Sequence, residues 1–208
     1  MTSRLQLALD FPAALGVLPQ VATDIDIVEV GTPLLKRFGL SVISTVRELA
    51  PRAMVLADSK TVDGGLQEAG MLFDAGADYI TALSCASAAT LRTVAEVAGD
   101  RGRGVVLDTV TEADPLTVAI DALPAGITHI ALHTSTDARF AGDLHSNDSF
   151  ARARKIDTRL GIVLAGGINL ENIAEAARLN ADVVVIGRAI TAAADPAAAA
   201  STFAEALR

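Results

Sequence analysis

The sequence predicts a (β/α)8 TIM barrel, and three observations carry that prediction. Short aliphatic and β-branched runs alternate with amphipathic or alanine-rich stretches of helical length. The alternation recurs eight times in 208 residues, which suits one barrel domain over 1–208. The turn after the first run, Asp10-Phe11-Pro12-Ala13-Ala14, lacks the glycines that open a doubly wound nucleotide-binding sheet.

The expected strands are 5–10, 25–31, 54–60, 78–84, 104–110, 129–135, 161–166 and 182–188, each mostly aliphatic or β-branched. The expected helices between and after them are 13–21, 33–49, 66–75, 88–98, 115–123, 149–155, 170–179 and 196–207. Asp114-Pro115 and Asp195-Pro196 each place an N-cap before proline at the first helical position. Asn169-Leu170-Glu171-Asn172 reads as a capped first turn. Gly76 and Gly126 stand where helices should stop. The Ala197–Ala200 run is helix propensity in an alanine-rich chain.

Composition narrows the function. Hydrophobic residues make up 51% and charged residues 20%, as in a globular protein. The formal net charge of −8 argues against nucleic acid or an acidic membrane as partner. A phosphorylated metabolite remains compatible, because backbone N–H groups and one arginine can hold it locally. Cys85 is the single cysteine, so no intrachain disulfide is expected and a reducing cytoplasm fits. It reads as a small packed residue. No signal peptide is expected, since Asp10 interrupts the first apolar run, and no membrane span, since no uncharged apolar stretch is long enough.

Ionisable residues gather at the carboxyl ends of the expected strands, where a barrel carries its active site. Asp10 ends strand one, Glu29 lies in strand two, and strand three gives Asp58 and Lys60. Strand five carries Asp108 and strand six His133. Alternation places Asp58 and Lys60 on one face. So many acids at one mouth need a lysine, a cation or a proton to offset their repulsion. Glu29 and Asp58, on adjacent strands, could both offer oxygen to Mg²⁺. Asp63 follows Lys60 in a turn with Gly64 and Gly65. Gly166-Gly167 and Gly187-Arg188 follow strands seven and eight, the common phosphate site of barrels. His129 and His145 read as structural or solvated.

Together these residues resemble the orotidine 5′-monophosphate decarboxylase superfamily, in its branch of 3-hexulose-6-phosphate synthase and 3-keto-L-gulonate-6-phosphate decarboxylase. The resemblance runs along nearly the whole chain: LALD at 7–10, VEVGTPL at 28–34, LADSKTVDGG at 56–65, GADYIT at 76–81, VVLD at 105–108, HTSTD at 133–137, AGGI at 165–168 and IGRAIT at 186–191. It implies a homodimer with shared active sites, in which Asp63 reaches into the neighbouring subunit's site. It also implies Mg²⁺ on Glu29 and Asp58 and an enediolate intermediate. VEVGTPL and Asp108 resemble the synthase. The decarboxylase has an H-R-S-R-D segment where this chain has Thr136 in H-T-S-T-D. Ser59 departs from a commonly apolar position, and Ser135 from the glycine usual in the synthase. The implied reaction is aldol addition of formaldehyde to D-ribulose 5-phosphate. His133 is the candidate general base, and Asp10 and Asp108 would orient hydroxyls or Lys60. The alternatives are decarboxylation through a similar enediolate and a barrel that only binds sugar phosphate.

Overall fold

All eight apolar runs form strands, and they close on themselves. The computed structural model describes residues 2–111, 123–134, 160–179 and 181–208. Its elements are β1 (Arg4–Leu9), α1 (Pro12–Val21), β2 (Ile27–Val30), α2 (Thr32–Phe38), α3 (Ser41–Leu49), β3 (Met54–Thr61), α4 (Gly65–Asp74), β4 (Tyr79–Leu83), α5 (Ala88–Asp100), β5 (Gly104–Asp108), β6 (Ile127–His133), β7 (Gly161–Ala165), α6 (Ile173–Arg178), β8 (Val183–Ile186), α7 (Arg188–Thr191) and α8 (Pro196–Leu207). The strands are parallel and ordered as in the sequence, with β8 pairing back onto β1. Among the described residues no helix is long and apolar enough to cross a membrane.

Alternation along the strands divides the core in two. One face packs against the helices: Val28, Val55, Ala57, Ile80, Leu107 and Ile130 join Leu18, Val46, Leu91 and Phe203. The other face fills the barrel with Ile27, Leu56, Val106, Ala131, Val163 and Val183. Two residues further along each strand, on the same inner face, stand Glu29, Asp58, Asp108 and His133. The site is therefore built directly on an apolar plug.

The opposite end is a floor. Tyr79 and His129 meet edge to face at 5.5 Å between centroids. A Cβ at Gly104 would strike the Tyr79 ring and one at Gly161 the His129 ring, so glycine makes room for both. A polar clasp recurs there. Asp26 Oδ2 accepts the N–H of Leu5 at 2.8 Å, Asp78 Oδ2 that of Val55 at 2.8 Å, and Asp182 Oδ2 that of Ile162 at 2.6 Å. At the matching point of β6, Thr128 Oγ1 donates to the carbonyl of Val105 at 3.1 Å. Each clasp ties an even-numbered strand to the odd-numbered strand before it.

Several expectations are corrected. The expected helix 33–49 is two helices, broken at Gly39, whose φ of 67° ends α2. The expected helix 170–179 shortens to α6. Asn169 and Asn172 instead build the preceding turn, where Asn169 Oδ1 accepts the N–H of Glu171 and Asn172 Oδ1 that of Asn169. The expected strand 182–188 stops at Ile186, and Arg188 opens α7. His129 lies mid-strand rather than at the start of β6. Cys85 is exposed rather than packed. The Asp195 cap holds as expected, accepting the N–H of Ala198 at 3.0 Å. Residues 115–122, 135–137, the 149–155 helix and His145 lie outside the described residues.

Candidate active site

The end of β3 departs from regular strand geometry. Its register against β4 steps from Ala57–Ile80 to Thr61–Ala82, four residues on one strand against two on the other. Such a bulge re-aims side chains. Among the described residues Lys60 is the one non-glycine with positive φ, at 51°. Asp58 and Lys60 do meet, as alternation suggested, but through this bulge rather than through a regular pleat. Lys60 Nζ lies 3.0 Å from Asp58 Oδ1 and 2.7 Å from Asp108 Oδ2. Burial alone would lower the lysine's pKa. The two carboxylates overcome that and raise it above its ordinary value, so the side chain is an ammonium at neutral pH.

Asp108 is only 2% exposed and every oxygen is engaged. Oδ1 accepts the N–H of Val110 at 2.9 Å, Oδ2 takes Lys60, and His133 Nδ1 lies 3.0 Å from Oδ1 and 3.2 Å from Oδ2. Burial pushes this carboxyl up, yet the His133 hydrogen bond and the charges of His133 and Lys60 bring it down to about 2. An ionised carboxylate only accepts, so Nδ1 carries hydrogen and neutral His133 keeps Nε2 as its basic nitrogen.

Glu29 sits on the other side of Asp58. Burial first, and then the charge of Asp58, push its carboxyl up to about 8, although Gln6 donates to Glu29 Oε2 at 2.6 Å. Asp10 follows β1 and is raised by burial and by Asp58, opposed by Lys60, Arg188 and His133. Those influences put Asp10, Asp58, Lys60, His133 and Arg188 within electrostatic reach at one mouth. A Cβ at Gly31 would overlap the Asp10 carboxylate, so only glycine lets Asp10 lie where it does. Thr32 Oγ1 is 2.8 Å from Asp58 Oδ2 and 2.7 Å from its carbonyl oxygen.

The glycines after β7 have a physical requirement. Gly166 and Gly167 adopt φ of 101° and 79°, and a Cβ on Gly166 would strike the carbonyl of Thr134. Gly187 precedes α7, whose first residue, Arg188, is exposed. Asp63 stands apart from the cluster. It is exposed in the turn before α4 and makes no hydrogen bond or ion pair to a described residue. Its neighbours Val62 and Leu66 are 49% and 61% exposed.

Three further residues enter this site that sequence reasoning missed: Gln6, Thr32 and Thr81. Thr81 Oγ1 donates to Asp58 Oδ1 at 2.9 Å. A lone glutamine in the apolar run Leu5–Leu9 was a usable signal. The threonines were not, because threonine is ordinary in a strand or at a helix start. Four elements, α2, β3, β5 and β6, thus deliver a continuous chain of contacts, Thr32–Asp58–Lys60–Asp108–His133, in which one carboxylate, that of Asp108, holds both the ammonium and the imidazole.

Comparison of the chain with known proteins relates its sequence and fold to one family. A 3-hexulose-6-phosphate synthase of Mycobacterium gastri is 37% identical, over 95% of this chain and 96% of that protein. The crystal structure of a 3-hexulose-6-phosphate synthase from Salmonella typhimurium superposes with a TM-score of 0.89 and 38% identity, over 98% of each chain. A bifunctional enzyme Fae/Hps of Methanococcoides burtonii is 39% identical over 98% of this chain, which spans about half of that longer protein (52%). The profile of the orotidine 5′-phosphate decarboxylase / HUMPS family matches residues 3–203. With eight parallel strands in order and the acid–lysine–acid–histidine chain at their carboxyl ends, the chain belongs to that family.

Proposed function

We propose that this chain is a 3-hexulose-6-phosphate synthase, a carbon–carbon lyase that joins formaldehyde to D-ribulose 5-phosphate and runs reversibly. The observation that carries this reading is the contact chain Asp58–Lys60–Asp108–His133 in a protein 37–38% identical to synthases over nearly its whole length. The reaction removes a proton from carbon 1 of the ketose and leaves an enediolate. Carbon 1 then attacks formaldehyde, and the new alkoxide takes a proton. The product is D-arabino-hex-3-ulose 6-phosphate.

His133 takes the proton at Nε2. Asp108 holds Nδ1 and stabilises the imidazolium that forms. Lys60 stays charged between its carboxylates and stabilises the negative charge growing on the enediolate oxygens. A lysine held as an ammonium is a poor Schiff-base nucleophile, which favours this electrostatic role. Asp10 orients substrate hydroxyls at the mouth. Gly166, Gly167, Gly187 and Arg188 hold the phosphate, which fixes the reacting carbons beneath His133.

Glu29 and Asp58 fit a hard divalent cation such as Mg²⁺. They are oxygen donors on adjacent strands, Asp58 buried and Glu29 half-buried, and Glu29 is destabilised as an anion by desolvation and then by the charge of Asp58, a repulsion that a cation removes. Two protein carboxylates suffice where substrate and water complete the shell. When bound, the ion supplies Lewis-acid stabilisation of the enediolate oxygens.

The active unit is a homodimer with shared sites. Asp63 is exposed, points to no partner among the described residues, and is flanked by the apolar side chains of Val62 and Leu66. A second copy of the chain would cover these residues and bring Asp63 into its site. A cytoplasmic setting suits the phosphorylated substrate.

Formaldehyde consumption with ribulose 5-phosphate, with and without chelator, tests the reading. Turnover that chelator abolishes and Mg²⁺ restores is expected. Turnover of 3-keto-L-gulonate 6-phosphate alone would assign the decarboxylase reaction instead. Mixing inactive Asp63→Ala chains with inactive Lys60→Ala chains should restore about a quarter of wild-type activity at random exchange. Mixed dimers that form and stay dead would sink the shared site.

A further inference from the structure

Thr81 lies on β4 opposite the bulge in β3, and its hydroxyl works in two directions. It accepts the backbone N–H of Lys60 at 2.8 Å and donates to Asp58 Oδ1 at 2.9 Å. The directions are forced. A hydroxyl has one hydrogen, an N–H only donates, and an ionised carboxylate only accepts. Thr81 is 5% exposed, so neither bond is readily exchanged for water.

Both bonds answer a structural need. The extra residues of the bulge take Lys60 out of the regular ladder, and its φ of 51° is costly for a residue with a Cβ. Such a conformation persists only where its surroundings over-determine it. Thr81 supplies the acceptor that the ladder no longer offers. Ser59 fixes Thr81 in turn, donating from Oγ to the Thr81 carbonyl at 2.8 Å and pairing with Thr61 Oγ1 at 3.1 Å.

The arrangement also separates the two oxygens of Asp58. Oδ1 carries both the Thr81 hydroxyl and the Lys60 ammonium, while among the described residues Oδ2 meets only the Thr32 hydroxyl. Oδ2 is therefore the oxygen with acceptor capacity to spare.

We propose that Thr81 is a positioning residue of the reaction. Its hydroxyl locks Lys60 in the left-handed turn and rotates Asp58, so that Oδ1 serves the lysine and Oδ2 is left for the substrate side. This rests on the reading that Asp58 and Lys60 act in the proposed synthase. It does not require Thr81 to touch the substrate.

Steady-state kinetics of the full-length chain with ribulose 5-phosphate and formaldehyde test it. Thr81→Val keeps the shape and deletes the hydroxyl, so kcat should fall about ten- to a hundredfold, as expected when a buried donor and acceptor lose their common partner. KM for ribulose 5-phosphate should stay within about twofold, because the phosphate grip lies on other strands. Thr81→Ser should recover kcat to within about threefold, since it restores the same donor and acceptor. A wild-type kcat in the valine variant, a serine variant as slow as valine, or a loss confined to KM would each overturn the proposal. Should Thr81→Val fail to fold, Thr81→Cys serves, because a thiol is a weak partner of similar size. A reduced kcat at unchanged KM supports the proposal, and a wild-type kcat overturns it. Lys60→Ala distinguishes the two levels of inference. Undiminished turnover there removes the synthase mechanism and this proposal together, whereas a dead Lys60→Ala beside a fully active Thr81→Val removes this proposal alone.

Discussion

At the floor of the barrel, Asp26, Asp78 and Asp182 each accept, through a carboxylate oxygen, the N–H of the second residue of the preceding strand. At the mouth, Asp10, Glu29, Asp58 and Asp108 crowd around one lysine. The floor carboxylates are satisfied locally, one acid to one strand pair. The mouth carboxylates are satisfied collectively and incompletely, and Glu29 and Asp10 are held where ionisation is unfavourable. The first arrangement stabilises a fold. The second stores unfavourable electrostatics at the point where a substrate and a cation can relieve it.

That contrast predicts opposite responses to the same kind of substitution. Asp58→Asn at the mouth should cut kcat by about a thousandfold or more, the scale of losing a preorganised electrostatic group. Its thermal midpoint should barely move, because Lys60 retains Asp108 while Glu29 loses a like-charged neighbour. Kinetics and a melting curve on one preparation decide this. Intact turnover with a lowered midpoint would erase the distinction between the two ends.

Asp78→Ala at the floor should do the reverse. It strands the Val55 N–H and removes the shared partner of Arg47 and Arg103. A loss of about 2 kcal/mol in denaturant unfolding is expected for one orphaned buried group, the arginines being free to meet water. kcat should change little. A large fall in kcat without loss of stability would mean that the floor acts in catalysis.

The smallest effect sharpens the comparison through pH. Glu29 is raised from its ordinary 4.5 to about 8, so the folded chain holds a proton that the unfolded chain releases. Stability should therefore decline as pH rises from about 4.5 to about 8 and level off above that. Asp108, lowered to about 2, contributes the other way: its stabilisation is present above its unfolded value of 3.8 and is lost as pH falls toward 2. The midpoint of Glu29→Gln should gain on wild type across pH 5 to 8. Parallel curves would show that Glu29 is not strained.

The barrel was legible because eight apolar runs and their capped helices repeat at short range, where pattern and structure coincide. The mouth was legible because acids and a histidine ending apolar runs need an explanation. Thr81 was not, since its role depends on a bulge two strands wide that no single run reveals. Gly39 was hidden inside a helical pattern that tolerates one glycine, yet its positive φ splits α2 from α3. The floor clasp was present in the letters, as Ile25-Asp26-Ile27, Ala77-Asp78-Tyr79, Ile127-Thr128-His129 and Ala181-Asp182-Val183. An acid or threonine before a strand reads as a turn former, and only the strand pairing shows what it grips.

The clasp also counts strands in twos, and the chemistry follows the same count. The first pair delivers Asp10 and Glu29, the second Asp58, Lys60 and Thr81, the third Asp108 and His133, the fourth the paired glycines and Arg188. Each pair thus carries its own share of the labour, and each is zeroed at the floor by its own fastening. A slip of one residue within a pair would move its mouth group by about 3.3 Å and turn it to the outer face. The floor marks the datum from which the mouth is measured: four residues remote from the mouth reinforce a register that the backbone ladder of each pair already holds.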